Sequence, residues 1–381
     1  MICAGPAALH LFPYCKGLAP QMQDPRRARR RPDSAKTLDN IYCKTYNKYR
    51  NKWLGKGAMG LQNTAMVRQE NCRAIWRAVR LLGAATKKEV AGRTGLSFST
   101  CSALINEMVR GGALTALVEQ RAACGRPSLA YCINAGYRLL LCMRLEQQGT
   151  EFVLRRTLRD LCGAEVAHSE SRCADAGALA ALRAACAQDC AGGRVGIIGV
   201  GLPGVVRRGG QVLSCDCRSL AGVDLPRELG ALTGLPVLCE NDINLCAYGL
   251  DRQNGYAEAD SIAVVSCYRG ILPGAGLVVD GRIVRGTTDF AGEISALPLP
   301  ESAPLTRLAM QIACIAAVVD PALVAVVGDG CDDAALPQLR RLLNGLLPPD
   351  HRPELTRLDD LSSAADGLVR LCLQQLENEA L

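Results

Sequence analysis

Apolar positions change their spacing twice along the chain, which divides the sequence into three parts. Residues 1–58 are rich in Pro, Arg, Lys, Asn and Tyr and show no apolar period, so they predict no core of their own. The next part has helical spacing, and the part beyond about residue 135 alternates strand and helix patterns. We therefore expect residues 1–66 to be a basic extension that is disordered or precedes the biological start, with Met59 and Met66 as later candidate starts.

The second part opens with a predicted helix and a predicted helix cap. Ile75, Val79 and Leu82 recur on one helical face. Thr86 and Glu89 have the spacing of a capping box, in which each side chain bonds the backbone N–H of the other residue. A short helix is therefore expected to begin directly after Thr86.

A glycine turn is predicted to join this short helix to another one. Gly95 can adopt a positive φ angle without steric cost, and Ser97 is a favoured N-cap residue. The helix after Ser97 has one apolar face and small polar residues on its outer face, and it ends at a Gly-Gly pair. Two short helices joined by a tight turn predict a helix-turn-helix, and an ordinary helical pair gives the same pattern.

The surroundings of this helix pair favour DNA binding over an ordinary helical pair. The first residues of a recognition helix reach base edges, and basic flanking residues suit contacts with phosphate. Residues 113–134 predict two strands joined by a turn, which is the wing of a winged helix-turn-helix. The candidate DNA-binding residues are Lys87, Lys88, Arg93, Ser97, Phe98, Ser99, Thr100, Ser102, Asn106, Arg110 and Arg126.

The charge of the chain is consistent with an anionic partner. The formal net charge is +7, and much of the basic excess lies before residue 115. A basic front part indicates nucleic acid, while a solvated tail is the alternative for residues 1–58.

The cysteines predict neither a disulfide framework nor a metal site. There are 20 of them, scattered through apolar runs where a free thiol packs as a small hydrophobic group. The pairs Cys186/Cys190 and Cys215/Cys217 lack the second ligand pair that a structural zinc site needs. The sequence has no signal-peptide pattern and no apolar run of the roughly 18 residues that a membrane span needs. A reducing cytoplasm, no metal, no cofactor and no membrane are therefore expected.

The third part predicts an α/β fold, because strand and helix patterns alternate there. Three strands in a meander come first, followed by "RVGIIGVGLPGVV", a buried strand that enters a glycine turn. The strand "LPVLCEND" ends in Glu240, Asn241 and Asp242, and an amphipathic helix closes the chain. The expected domains are the winged helix-turn-helix at 67–134, a first lobe at 135–250 and a second lobe at 251–381.

Four motifs, taken in order, resemble the ROK family of repressors, open reading frames and sugar kinases. They are "GVGLPGVV" at Gly199–Val206, "GLPVLCENDINLCAYG" at Gly234–Gly249, "GAGLVVDGRIVRG" at Gly274–Gly286 and "FAGEIS" at Phe290–Ser295. Each motif alone is weak, but the set is specific. The winged helix followed by "GRP" resembles the transcriptional-repressor branch.

The resemblance implies a two-lobed, actin-like ATPase module of the ribonuclease H-like, sugar-kinase type. It places Asn241 and Glu293 on sugar hydroxyls and lets the backbone at Gly204 approach the sugar ring. The residue that matches Asp242 is the general base of the kinases, where a carboxylate accepts the proton of the attacking hydroxyl. A helix cap or a strand-end salt bridge is the alternative for Asp242 and Glu293.

The phosphate-binding side departs from the family pattern. Kinases of this fold have an Asp and a Gly-Gly-Thr turn there, whereas this chain has Arg144 near the Asp and Glu146 near the glycines. Side chains at these positions would block the approach of backbone N–H groups to phosphate. The second phosphate turn carries the Ile271-Leu272 pair, and the late glycine turn carries Asp329. We therefore expect no kinase activity, with Asp242 as a vestigial base.

The second lobe also departs from the family. Ala296 stands at the position of a family histidine, and the zinc loop that follows in relatives is replaced. The lobe is predicted to be shortened, with its C-terminal helix returning to the first lobe. Helices of this lobe often take part in dimerisation in the family, so the sequence does not indicate which residues would form the expected homodimer interface.

The sequence therefore predicts a DNA-binding transcriptional regulator of carbohydrate metabolism, with repression favoured by the resemblance. A homodimer would bind a double-stranded operator and respond to a sugar or sugar-phosphate effector. Two alternatives remain: a residual ATP-dependent sugar kinase, and a constitutive DNA-binding protein whose α/β module is only a scaffold.

Overall fold

Three helices and a small antiparallel sheet form the N-terminal part of the protein. The computed structural model describes residues 62–118, 129–253 and 260–379, so most of the predicted extension and Arg126 lie outside the described residues. The strands are ordered β1-β3-β2. The elements are α1 (Gln62–Leu82), β1 (Ala84–Thr86), α2 (Lys87–Thr94), α3 (Phe98–Arg110), β2 (Leu114–Val118) and β3 (Leu129–Ile133).

Local caps define the ends of α2 and the start of α3. The Thr86 hydroxyl accepts a hydrogen bond from the Glu89 backbone N–H, and the Glu89 carboxylate accepts one from the Thr86 N–H at 2.8 Å. Gly95 ends α2 with a φ of 70°, and Ser97 Oγ accepts from the Thr100 N–H at 3.1 Å. Both caps were expected from the sequence, because capping depends on residues only three positions apart.

Two five-stranded sheets follow, and both have the same strand order. In each, three antiparallel strands form a meander, and two further strands then add in parallel beside the first strand of the meander. The first sheet is ordered β10-β7-β4-β5-β6 and the second β13-β12-β11-β14-β15. The first sheet contains β4 (Leu139–Gln148), β5 (Glu151–Arg159), β6 (Glu165–Cys173), β7 (Val195–Leu202) and β10 (Val237–Asn241). The second contains β11 (Ile262–Ser266), β12 (Ala275–Val279), β13 (Arg282–Ile283), β14 (Leu323–Val327) and β15 (Glu354–Leu358).

Helices cover these sheets, and a small ribbon borders the first sheet. The central strands β7, β11 and β14 are buried along their whole length, as strands covered on both faces should be. The ribbon consists of β8 (Gly204–Val206) and β9 (Val212–Cys215). The helices are α4 (Ala178–Cys190), α5 (Leu225–Thr233), α6 (Asp242–Gln253), α7 (Pro304–Val319), α8 (Leu336–Leu346) and α9 (Ser363–Glu379).

Helices α6 and α9 exchange sheets. The first follows β10 of the first sheet but packs on β11 and β12 of the second, whereas α9 follows β15 of the second sheet and packs on β4 and β7 of the first. The two helices touch at Gly249 and Gly367. A Cβ atom at Gly367 would lie 1.9 Å from the Leu245 carbonyl oxygen, so this crossing admits no side chain.

The cysteines of the described ranges are free thiols, and several are fully buried, such as Cys101, Cys186 and Cys372. Within those ranges no group of three or more metal-ligating side chains comes together. No helix of the described chain is long and apolar enough to cross a membrane.

Candidate functional site

A cleft of about 930 Å³ opens where the carboxyl ends of strands from both sheets meet. Its walls include Asn241 at the end of β10, Ser266 at the end of β11 and Asp360 just after β15. A smaller pocket of about 60 Å³ lies beside it and shares Gly204 and Asn241. Crevices at the carboxyl ends of parallel strands are the usual ligand sites of α/β folds.

The four residues predicted to bind a ligand are all at these cavities. Gly204 and Asn241 line both, Asp242 lines the larger cleft, and Glu293 lines the smaller pocket. The structure therefore brings together residues from three sequence segments. Their role in ligand binding stays a prediction.

Asn241 has a structural role in addition to its position at the cleft. Its side-chain amide donates to the Gly204 carbonyl at 2.6 Å, and its Oδ1 accepts from the Asn244 backbone N–H at 2.9 Å. The side chain thus fastens the β8 ribbon to the first turn of α6. A ligand would have to use the remaining amide proton or the second lone pair of the oxygen.

Gly204 is required by the packing of strands β8 and β9. A Cβ atom there would lie 2.3 Å from the Ser214 carbonyl oxygen on β9. Glycine at this position is therefore explained by the close approach of two backbones, and it also leaves the mouth of both cavities open.

Asp242 is the carboxylate with the most strongly altered acidity in the cleft. Its pKa is raised to about 7, mainly by burial and in part by the nearby Asp216, whereas backbone hydrogen bonds and the charge of Arg144 act in the opposite direction. Its Oδ1 accepts the Ile243 backbone N–H at 2.8 Å. A carboxyl group that titrates near neutral pH can accept a hydroxyl proton, which is the property a general base needs.

The smaller pocket contains residues that sequence reasoning missed. Asp289 lines it next to Glu293, and its backbone lies in the left-handed region with a φ of 60°. Few residues other than glycine adopt this conformation, and they often lie at functional sites. Asn244 and Arg285 complete the polar wall.

Glu240, the first of the three polar residues that end β10, is not available to a ligand. It is only 2% exposed, and its carboxylate pairs with Arg285 from the second lobe, with Nε at 2.8 Å from Oε2. Asn244 donates to its other oxygen at 2.9 Å. This ion pair joins the two lobes beside the smaller pocket. Its residues are 45 positions apart, so no local sequence pattern indicates it.

Charged side chains pair with one another at the β4–β5 hairpin, where the family resemblance places the first phosphate turn of the kinases. Strands β4 and β5 pair continuously from Leu140/Arg159 to Gln148/Glu151, and Gly149 in the turn between them lines the cleft. The Arg144 guanidinium bonds Glu146, and Arg155 Nε lies 2.8 Å from the same carboxylate.

Two other loops also depart from a phosphate-binding geometry. Ile271 and Leu272, between β11 and β12, line the cleft with exposed apolar side chains. The Asp329 carboxylate accepts the Arg269 backbone N–H at 2.8 Å and so ties the late glycine turn to this loop.

The walls of the two cavities contain more acidic side chains than basic ones. Each arginine in their walls is already paired: Arg144 and Arg155 with Glu146, and Arg285 with Glu240. Other carboxylates of the lining form no salt bridge within the described chain. These are Asp216, Asp242, Asp289, Glu293 and Asp360.

The residues predicted to contact DNA lie on α2, α3 and the turn between them. Lys88, Arg93 and Arg110 are exposed, whereas the Lys87 ammonium donates to Asn106 Oδ1 at 2.7 Å and to Ser102 Oγ at 3.1 Å. Three of the predicted contacts therefore bond one another, which fixes α2 against α3.

The start of α3 exposes an aromatic side chain. Phe98 is 60% exposed and follows directly on the Ser97 cap, whose hydroxyl also bonds Ser99 and Thr100. The outward surface of α3 thus begins with an aromatic ring surrounded by hydroxyl groups.

The described residues form an α/β molecule with two sheets of the same strand order, a polar cleft where strands of both sheets end, and an N-terminal helix pair. Residues 177–306 match the ROK family, and the chain therefore contains a ROK family domain. The expected resemblance to that family is confirmed.

Relatives named as repressors and as kinases are both similar to this chain. The xylose repressor of Bacillus subtilis is 22% identical over 256 residues, which cover 65% of each chain. The xylose repressor of Caldicellulosiruptor bescii is 31% identical over 26% of this chain and 24% of its own length. An N-acetyl-D-glucosamine kinase of Vibrio atlanticus is 33% identical over 28% of this chain and 34% of its own. The chain therefore matches less than two thirds of the length of each.

A solved structure is similar in fold over most of the chain. It is a ROK family transcriptional regulator described as a homologue of the E. coli MLC protein, with a TM-score of 0.64 and 17% identity. The match covers 81% of this chain and 96% of the other. The predicted two-lobed, sugar-kinase-like α/β fold is confirmed at this level.

Proposed function

We propose that the protein is a DNA-binding transcriptional regulator, with a winged helix-turn-helix at 67–134 and a ligand-sensing ROK module at 135–250 and 251–381. The observation that carries the proposal is the capped α2–α3 pair with an exposed polar helix start, followed by the β2–β3 hairpin. The similarity to relatives named as xylose repressors supports it.

In this proposal α3 enters the major groove. Its first residues, Phe98 and Ser99, face base edges, and Lys88, Arg93 and Arg110 contact phosphates. A homodimer would place two such helices on half-sites about one helical turn apart or a multiple of it. We propose repression over activation because the similar proteins are named as repressors.

The proposed effector is a sugar or sugar derivative held in the cleft by Gly204, Asn241, Asp242 and Glu293. Hydroxyl groups suit this lining, because unpaired carboxylates and amides accept and donate hydrogen bonds in directional pairs. A ligand that prefers one arrangement of the lobes would shift the population toward it and change operator affinity.

The proposal includes the absence of phosphoryl transfer. Arg144 and Glu146 fill the region where phosphate would bind, and the carboxylate excess of the cleft opposes a polyphosphate. A residual sugar kinase is the rival function, supported by the position and pKa of Asp242 and by the similarity to an N-acetyl-D-glucosamine kinase.

Selection from a random duplex library tests the DNA-binding part. We expect enriched sequences with two related half-sites, and a binding affinity that falls steeply with salt concentration. Failure to enrich any duplex, with a folded protein, would contradict the proposed function.

A thermal-shift panel tests the sensing part and separates it from the rival. The panel contains D-xylose, D-glucose, N-acetyl-D-glucosamine, their phosphates, and ATP with Mg²⁺. We expect a rise in melting temperature with one sugar, lost in Asp242→Ala, and no rise with ATP. ATP-dependent phosphorylation of a sugar that disappears in Asp242→Asn would support the kinase instead, and no shift with any compound would favour a constitutive DNA-binding protein.

A further inference from the structure

We infer that helix α9 transmits the state of the cleft to the N-terminal helices, with Glu377 as the positioning residue at its far end. The inference rests on the proposed function and specifies how the ligand site would control the DNA-binding part. It stands on three sets of contacts along one helix.

The first set holds the beginning of α9 at the cleft. Arg144 Nη1 donates to the Leu361 carbonyl at 3.1 Å and to the Ser362 carbonyl at 3.3 Å. Both Arg144 and Leu361 line the cleft. A change in the cleft that moves Arg144 must therefore act on the residues that lead into α9.

The second set keeps the middle of the helix rigid against α6. The crossing at Gly249 and Gly367 leaves no free space, since a Cβ atom at Gly249 would lie 1.9 Å from the Ser363 carbonyl oxygen. Arg370 donates to the Tyr248 carbonyl at 2.9 Å and lies 4.0 Å from the centre of its ring. Elements packed this closely shift as units.

The third set fixes the end of α9 to α1. The Glu377 side chain is 3% exposed, and its carboxylate lies 2.7 Å from Arg80 Nη1 and 3.3 Å from Arg77 Nε. Arg73 also donates to the Asn378 carbonyl. Apolar contact surrounds these charges, because Trp76 of α1 and Leu376 of α9 line one small cavity with Glu377.

These contacts make α9 and α1 move together. A buried carboxylate that loses its cationic partners is left uncompensated, which is strongly unfavourable. A displacement of α9 along its axis is therefore followed by α1 rather than absorbed between them. The helix spans about 25 Å at 1.5 Å per residue, so the two ends report on distant parts of the molecule.

A double-mutant cycle tests the inference without any ligand. Arg144→Ala perturbs the cleft end, and Glu377→Gln weakens the ion pairs at the α1 end. Hydrogen exchange of the α1 amides is measured in the full chain for both single variants and for the double variant. The affinity for a selected duplex is measured in parallel.

We expect Arg144→Ala to change α1 exchange rates and duplex affinity by about threefold or more, and this change to fall below about 1.5-fold in the Glu377→Gln background. Sites this far apart are otherwise additive. Glu301→Gln, an exposed carboxylate distant from α9 in sequence, is the matched control and should leave the effect of Arg144→Ala intact.

Equal effects of Arg144→Ala in both backgrounds, or no effect of Arg144→Ala on α1, would overturn the inference. Arg80→Gln removes the same ion pair from its more exposed side and gives the same test if Glu377→Gln does not fold. Failure to select any duplex would sink the proposed function, while the exchange data would still decide the role of α9.

Discussion

At the scale of single residues, the raised pKa of Asp242 makes the stability of the folded protein depend on pH. Its folded-state pKa of about 7 lies above the ordinary value of 3.8 because the carboxyl group is buried. Between these two pH values the folded protein holds a proton that the unfolded chain has released. Stability therefore falls as the pH rises through this range and reaches its lower level above pH 7.

The variant Asp242→Asn should remove this pH dependence. Asparagine keeps the oxygen that accepts the Ile243 N–H but has no charge to bury. We expect the variant to be more stable than the parent at pH 8 by on the order of 1 kcal/mol or more, with the difference closing toward pH 4. Melting temperatures measured from pH 4 to pH 8 test this difference, and the exposed Asp350→Asn is the control. If the melting temperatures of Asp242→Asn and the parent change with pH in parallel, Asp242 does not have the raised pKa.

Phe98 gives a residue-scale prediction for DNA. An exposed ring at the start of a recognition helix can pack on the 5-methyl group of thymine. Replacing thymine by uracil in a selected duplex should weaken binding by roughly fourfold, since one methyl group contributes about 0.8 kcal/mol. Phe98→Ala should abolish this difference, and Phe290→Ala, which removes an equally exposed ring elsewhere, should retain it. Equal discrimination in all three proteins would exclude Phe98 from base contact.

At the scale of elements, the α6–α9 crossing leaves no room for a side chain at Gly249 or Gly367. Both helices depend on it, because each packs on the sheet that the other one follows. The crossing also sets the register of α9, and hence the place of Glu377 relative to α1.

Gly367→Ala should therefore be severely destabilising. Its new Cβ atom would lie 1.9 Å from the Leu245 carbonyl oxygen, and a backbone atom cannot rotate away as a side chain can. We expect a loss of about 3 kcal/mol or more, or no folded protein. Gly345→Ala in α8 is the control: nothing lies within 4 Å of its Cβ position, so a gain of about 0.5–1 kcal/mol is expected. Urea denaturation measures both, and similar midpoints would show that the helices separate easily.

At the scale of the whole molecule, the charge of the cleft limits the effector. Its arginines are paired and several of its carboxylates are not. An anionic ligand would meet repulsion in a space with restricted solvent, where charges interact more strongly than in water.

Sugar phosphates should accordingly bind more weakly than the neutral sugars from which they derive. We expect a larger rise in melting temperature with N-acetyl-D-glucosamine or D-glucose than with the corresponding 6-phosphate at equal concentration. The difference should shrink in high salt. A larger shift with the phosphate would mean that Arg144 or Arg285 leaves its partner on binding.

The sequence predicted those features that depend on neighbours in the chain. The caps at Thr86 and Ser97 follow from local spacing. The ROK motifs predicted Asn241, Asp242 and Glu293 as ligand contacts; these residues line the larger cleft or the smaller pocket beside it, and their contact with a ligand stays a prediction. It could not predict the Glu240–Arg285 pair, whose residues are 45 positions apart, nor the bond from Arg144 to Leu361 across 217 positions. Those contacts depend on how the sheets and helices pack, which no local pattern records.

The exchange of sheets by α6 and α9 has a consequence for synthesis on the ribosome. Helix α9, which packs on β4 and β7 of the first sheet, begins only after every strand of the second sheet. The surface of β4 and β7 that α9 covers therefore stays exposed until the strands of the second sheet have been translated. Such a nascent chain exposes apolar strands for many seconds, so its yield in the cell should depend on chaperones more than its final stability would indicate.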